Sequence, residues 1–178
     1  MQKNKSILYT VTVLLLITAI VATIIAFVND ITYEKRLKLT EEKTKSAIAS
    51  IFPNYEKATV VEYPNEDINV LYEISTENGG RAYCVDVSVN GYGGEINMMV
   101  GFFGNANDGI TVNAVKIVSA DSETPGLGAR VKEAEFLEQF SGKNGGGVDA
   151  VAGATISSTA VVSGVDIAYN ALVDYLGK

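Results

Sequence analysis

The chain has 178 residues, of which 14 are basic, 21 acidic, one a cysteine and none a histidine. That length suits one domain with a sizeable core plus a short extra segment. The missing histidine excludes Ser-His and Cys-His catalysis, the lone cysteine excludes a disulfide within the chain, and the common zinc sites lack their ligands.

Ser6–Val28 runs 23 residues without a charge. At about 1.5 Å per residue this makes roughly 35 Å of helix, enough for a bilayer core of about 30 Å. A secretory signal has an apolar core of only about 7–15 residues and a small-residue cleavage site. This stretch is longer, and no convincing A-x-A follows. Residues 6–28 are therefore expected to form a retained single-pass transmembrane helix after a short tail, residues 1–5. Lys3 and Lys5 precede the span; the other 12 basic residues follow it with all 21 acidic ones, a net of −9. This balance argues against nucleic acid as a partner, because binding it needs a basic footprint. Lys35, Arg36 and Lys38 follow the span closely, so positive charge alone does not orient it. The expected orientation has the N-terminus in the cytoplasm and the domain outside.

Residues 29–53 read as a helical stalk beside the membrane. Glu34/Lys38 and Glu41/Lys45 are i,i+4 pairs with the glutamate first, the favourable order. Thr40–Ser46 has no apolar residue, as a solvated helix would. Ala47, Ile48, Ile51 and Phe52 then form an apolar patch, and Pro53 stops the helix. Residues 54–178 are expected to be one α+β domain, a mainly antiparallel sheet packed with helices. Weak strands are predicted at Thr59–Tyr63 and Val70–Ser75. Tyr83, Val85, Val87 and Val89 alternate with Ala82, Cys84, Asp86 and Ser88, the pattern of a half-buried strand. Cys84 reads as a packed residue, not a nucleophile. After the Asn90-Gly91 turn signal and Gly93-Gly94, Glu95–Phe103 suits a central strand. Gly104-Asn105 to Asp108-Gly109 is loop chemistry, and Ile110–Ser119 is strand again. Short connections imply a meander.

Thr124-Pro125-Gly126 is a tight turn, and Gly128 lets the backbone approach something closely. Lys132–Phe140 is a short helix candidate. Ser141–Gly147 is glycine-rich but follows no strand and has no Gly-Lys-Ser/Thr opening a helix, so it reads as a flexible loop rather than a phosphate cradle. The last helix runs from about Ser157 to Leu176, with Val161, Val165, Ala168, Leu172 and Leu176 on one face and Ser163, Asp166, Asn170 and Asp174 on the other. Just before it, Gly153 and Ala154 leave Thr155 with little bulk around it. A helix start favours phosphate, through free N–H groups and the positive end of the dipole. An ordinary capped helix after a glycine-rich loop explains the same residues locally.

Two stretches then reinforce each other. Asp149-Ala150-Val151-Ala152-Gly153-Ala154-Thr155 resembles the covalent flavinylation motif of FMN-binding domains. Glu123-Thr124-Pro125-Gly126-Leu127-Gly128 looks like the second signature of that family, and Gly91-Tyr92-Gly93-Gly94 is similar to its segment before the core strand. With the anchor added, nearly the whole chain resembles the G-subunit family of Rnf electron-transport complexes, related to the C subunit of the Na+-translocating NADH:quinone reductase. The resemblance implies FMN joined through its phosphate to the Thr155 hydroxyl by a separate flavin transferase, with FAD as donor. It implies cofactor-binding roles for Glu123, Thr124, Gly126, Leu127 and Gly128 beside the ring and for Gly153 and Ala154 at the phosphate. Ser157 and Ser158 are either phosphate donors or helix caps. Tyr92 reads as packing, with stacking on the ring as the other option. No catalytic residue and no metal site is expected.

Two positions depart from the family pattern: Ala152, where Ser or Thr is usual, and Asp121, where many relatives carry His. The implied function is a membrane electron carrier, partnered by the membrane and redox subunits of a ferredoxin:NAD+ oxidoreductase that drives Na+ or H+ transport. The alternatives are the C subunit of the quinone reductase and a cofactor-free anchored binding domain. A hydrolase using Thr155 or Ser157 has no histidine base.

Overall fold

The computed structural model describes residues 2–76, 81–105 and 109–177, without the side chains of 2–8, 30, 31, 34 and 36–38. The side chains of Lys3, Lys5, Glu34, Arg36 and Lys38, and Asp108 as a whole, therefore lie outside the described part of the chain. The chain divides into two compact units, residues 1–42 and 43–178. The first is helical. Its segment Tyr9–Asn29 has a mean hydropathy of 2.9 with none of it buried, long and apolar enough to cross a membrane. The helix α1 is continuous over Gln2–Ile51. Described side chains in Thr40–Ser46 are exposed apart from half-buried Thr44.

The second unit is a five-stranded antiparallel meander, β1 (Tyr55–Val61), β2 (Val70–Thr76), β3 (Arg81–Asn90), β4 (Glu95–Asn105) and β5 (Gly109–Ser119), in that spatial order. Register places Val85 opposite Val100 and Val100 opposite Val115, so central apolar residues meet across three strands. A 3₁₀ turn (Gly128–Lys132), a short α2 (Ala134–Leu137), another 3₁₀ turn (Glu138–Phe140) and the long α3 (Thr155–Gly177) follow. The helix expected over Lys132–Phe140 is thus broken into short pieces. They are held by buried Phe136 and Phe140, packed edge to face with ring centroids 5.4 Å apart.

One sheet face carries Tyr83, Val85, Val87, Met98, Val100 and Phe102 and packs against Val161, Val165, Ala168 and Leu172 of α3. These four belong to the stripe read from the sequence. The helix is apolar enough to pass for a span, but 44% of that window is buried inside the fold, which marks it as a core helix. The opposite face carries Ile74, Ala82, Cys84 and Met99, covered by Ala47, Ile48, Ile51 and Phe52. Consequently β3 is buried on both faces through Ala82–Val85, not on one as its alternation suggested. The cover comes from the end of α1, which lies with the sheet in the compact unit 43–178. Asn113 Nδ2 donates to the Ile51 carbonyl at 2.8 Å, satisfying an acceptor that the ending helix leaves open.

Cys84 is fully buried, and burial pushes its thiol well above the usual range. In the native protein it is expected to resist thiol reagents in mildly alkaline buffer and to react once denaturant is added. Rapid labelling of the folded chain would contradict this packing.

The glycine-rich segment is tied down rather than flexible. Gly142 N–H donates to Val112 C=O and Val112 N–H to Lys143 C=O, both at 2.8 Å, while Gly146 N–H donates to Asp166 Oδ1 at 2.6 Å. The loop closes the free edge of β5 and fastens it to α3.

Candidate functional site

Three connections converge at the start of α3. The first is the Gly91–Gly94 turn between β3 and β4, closed by Gly91 N–H on Gly94 C=O at 2.8 Å. The second follows β5. Thr124 C=O accepts from Leu127 N–H and Ala129 N–H, each at 3.2 Å, and Gly126 sits at φ +77°. Proline at the second position and a positive φ at the third make this a type II turn, which glycine adopts without strain. The third is Val151–Ala154, where Ala154 N–H donates to Val151 C=O at 3.0 Å and Gly153 takes φ +82°. The same turn logic applies, so Gly153 is needed for backbone conformation and not only for space.

Helix α3 begins at Thr155, and Ser158 N–H donates to Ala154 C=O at 2.9 Å as its first turn closes. The N–H groups of Thr155, Ile156 and Ser157 consequently have no acceptor inside the helix. Thr155 itself is exposed. A cavity of about 370 Å³ opens beside it, bounded by Thr124, Leu127 and Gly128 of the second connection, by the run Gly153–Ser157, and by Tyr92 of the first.

The residues expected at the site divide into two groups. Thr124, Leu127, Gly128, Gly153, Ala154, Thr155 and Ser157 share the cavity wall. Glu123, Gly126 and Ser158 are not on that wall. Ser158 Oγ accepts from Val151 N–H at 3.0 Å and donates to Ala154 C=O at 2.9 Å, so it staples the loop to the helix. Glu123 is 4% exposed and takes its hydrogen bonds from the protein: Gly93 N–H to Oε1 at 3.1 Å and the Ser157 hydroxyl to Oε2 at 2.7 Å. The Ser157 hydroxyl is therefore already committed to a carboxylate. Asp121 is also off the wall; it accepts from Ser119 Oγ at 3.1 Å and pairs with Lys132 at 3.6 Å. That hydroxyl and that ammonium hold its carboxyl below the ordinary range.

Tyr92 differs from its reading as a packing residue. It is 71% exposed and stands at the cavity, as do Leu127 at 52% and Ile156 at 58%. Three large apolar side chains left in water around one cavity mark a surface meant for a ligand or partner. Ile156 escaped sequence reading, although it is detectable there: it falls off the stripe that starts at Val161. Arg130 was also missed. Its Nη1 donates to Ala152 C=O at 2.8 Å and its Nε pairs with Glu133 at 3.3 Å, so it braces the loop before Thr155. A lone arginine after Gly128-Ala129 carries no sequence signal for that role.

Removing the Ser158 hydroxyl tests how firmly this loop is held. Ser158→Ala leaves the Val151 N–H without its acceptor and is expected to cost about 1–3 kcal/mol, read as a lower urea midpoint. An unchanged midpoint would show that the staple carries no weight.

The residues fit a flavin mononucleotide. An accessible hydroxyl at a helix start suits an anionic phosphate, and Leu127, Tyr92 and Ile156 offer apolar surface to a planar ring. The model of the FMN-binding domain family matches residues 91–170, which takes in all three connections. The fold and site thus define a flavin-binding domain behind an apolar helix. The chain is 33% identical to the G subunit of the ion-translocating oxidoreductase complex of Methanosarcina acetivorans over 192 residues, covering 99% of this chain and 97% of that relative. It is 34% identical to the G subunit of the proton-translocating ferredoxin:NAD(+) oxidoreductase complex of Clostridium ljungdahlii over 118 residues, 60% of this chain and 61% of that one. It therefore belongs to the G-subunit family of ion-translocating oxidoreductase complexes. Among solved structures, the C subunit of the Na+-translocating NADH-quinone reductase from Parabacteroides distasonis shares the fold, with a TM-score of 0.59 at 17% identity over 82% of this chain and 97% of that one.

Proposed function

We propose that this chain is the membrane-anchored, FMN-carrying electron-transfer component of an ion-translocating ferredoxin:NAD+ oxidoreductase complex, with the flavin phosphate esterified to Thr155. The observation that carries the reading is the exposed Thr155 hydroxyl at the start of α3, opening on a cavity with an apolar rim. The end-to-end likeness to a G subunit supports it and favours it over the quinone-reductase component, with which only the fold is shared.

Bound FMN supplies the electron-accepting and electron-donating chemistry. The protein's part is to hold and orient. Thr155 Oγ would lose its proton and take the FMN phosphoryl group from FAD, with the pyrophosphate bond broken and AMP leaving, a reaction that would need a separate flavin transferase. The free N–H groups of the first turn and the helix dipole stabilise the resulting negative charge. Gly153 and Ala154 keep bulk away from the acceptor oxygen. Leu127, Tyr92 and Ile156 would shield the ring from water, and Thr124 would offer it a hydroxyl. Covalent attachment keeps the cofactor on a domain that faces outward from the cytoplasm, held by the Tyr9–Asn29 helix with its N-terminus inside. The other membrane and redox subunits of the complex supply and remove the electrons.

Co-expression with a flavin transferase tests the reading. The denatured chain is expected to fluoresce in a gel and to gain the mass of one esterified FMN. A chain without flavin, from co-expression or from its native membrane, would instead indicate an anchored binding domain.

A further inference from the structure

Glu123 belongs to the second signature, yet it faces the protein and not the cavity. Both carboxylate oxygens are engaged, one by the Gly93 N–H at 3.1 Å and the other by the Ser157 hydroxyl at 2.7 Å. Ser157, only 1% exposed, also accepts from Tyr92 N–H at 3.4 Å. One side chain thus joins the turn that carries Tyr92, the loop that carries Leu127 and the helical turn that carries Thr155. Burying a carboxylate is costly unless hydrogen bonds replace its water, and a fully satisfied buried network rigidifies what it connects.

The glycines around it clear the space it occupies. A Cβ on Gly91 would stand 2.1 Å from Glu123 Oε1, and one on Gly128 would stand 2.0 Å from Oε2. A Cβ on Gly93 would stand 2.1 Å from the carbonyl oxygen of Ser122, the residue before Glu123. Real Cβ atoms do not come this close. Glycines from two separated motifs are therefore explained by room for one carboxylate and the stretch of chain that bears it, with no ligand invoked. Gly128, expected from the sequence to admit the flavin, has this second partner behind it.

We propose that Glu123 is the positioning residue of the Thr155 site. Resting on the esterification reading above, the proposal adds how the acceptor is presented: Glu123 locks the Tyr92 turn and the first turn of α3 onto the Glu123–Gly128 loop, so that hydroxyl, rim and wall are assembled before flavin arrives. Ser157 transmits the lock, since it shares a helical turn with Thr155. Glu123 lies off the cavity wall and acts through these partners.

The test uses the full chain in detergent with purified flavin transferase and FAD, following the adduct by intact mass at a temperature where circular dichroism shows every variant folded. Glu123→Ala and Ser157→Ala are each expected to slow adduct formation about tenfold or more. Glu123→Gln keeps an acceptor for Gly93 N–H but must donate to Ser157, and is expected to recover much of the rate. Gly128→Ala should slow the wild-type background, where its Cβ displaces Oε2, and should add less than about twofold in the Glu123→Ala background, a coupling that a double-mutant cycle reads directly. Hydrogen exchange in Glu123→Ala is expected to quicken in residues 91–94 and 155–158 while the interior of α3 stays protected; a merely structural role would loosen the whole helix. Wild-type rates in folded Glu123→Ala and Ser157→Ala, additive effects in the cycle, or uniform loss of protection would each overturn the proposal. If the wild-type chain takes no flavin at all, the Thr155 reading falls first and this proposal with it.

Discussion

Thr155→Val is expected to abolish the covalent flavin and leave the fold intact. Valine keeps the branched shape of threonine and removes only the hydroxyl, which is the atom the phosphate must join. Thr155 is exposed, so its side chain contributes little to the core. A surface substitution of this kind shifts stability by about 0.5 kcal/mol or less. Neighbouring hydroxyls do not substitute for it: Ser157 is bonded to Glu123 and Ser158 to the Val151 and Ala154 backbone, and both are buried. Intact mass and in-gel fluorescence read the result, with an unchanged melting curve as the control. Flavin mass on any other residue of the folded variant would displace the site from Thr155.

A soluble piece beginning at Lys43 is expected to fold cooperatively, whereas one beginning at residue 54 should not. The shorter piece lacks Ile48, Ile51 and Phe52, which are 2%, 5% and 3% exposed on the face of Ile74, Ala82, Cys84 and Met99. Burial of each large apolar side chain is worth about 1.5–3 kcal/mol. Their joint loss is therefore on the order of 5–9 kcal/mol, comparable with the roughly 5–15 kcal/mol that holds a domain together. It also strips the Ile51 carbonyl from Asn113 and leaves that amide without its acceptor. Urea unfolding of the two pieces decides the matter, and Cys84 supplies a second readout, since it should become reactive in the shorter piece alone. Equal midpoints would show that the end of α1 is dispensable.

These two expectations are linked through one architectural fact. Thr155 starts the helix that covers one sheet face, and the end of α1 covers the other. A loose second face would weaken the sheet on which α3 is seated. Arg130 adds a local brace from the 3₁₀ turn to the carbonyl of Ala152, the position at which the sequence resemblance led us to expect Ser or Thr. The brace uses the backbone of that residue, which Ala152 supplies as well as serine would.

Much of this protein is legible in its residues because the relevant forces act over a few positions. An uncharged run long enough for a bilayer, alternation at period two in β3, an apolar stripe along α3 and turn glycines at Gly126 and Gly153 are local patterns. They determined the apolar N-terminal helix, the antiparallel meander and the exposed threonine at a helix start. What only the tertiary structure decided involves partners that lie far apart in sequence. Glu123 finds Gly93 and Ser157, 30 and 34 positions away, and nothing in the signature itself tells whether its carboxylate faces a ring or a backbone N–H. The two-sided burial of β3 depended on the end of α1 packing against Ala82 and Cys84. The exposure of Tyr92 followed from where its turn stands against α3, and the tying of the glycine-rich loop from its meeting β5 and Asp166. A side chain's type limits what it can bond, but its partner is set by which segments the folded sheet and helices bring within hydrogen-bonding reach.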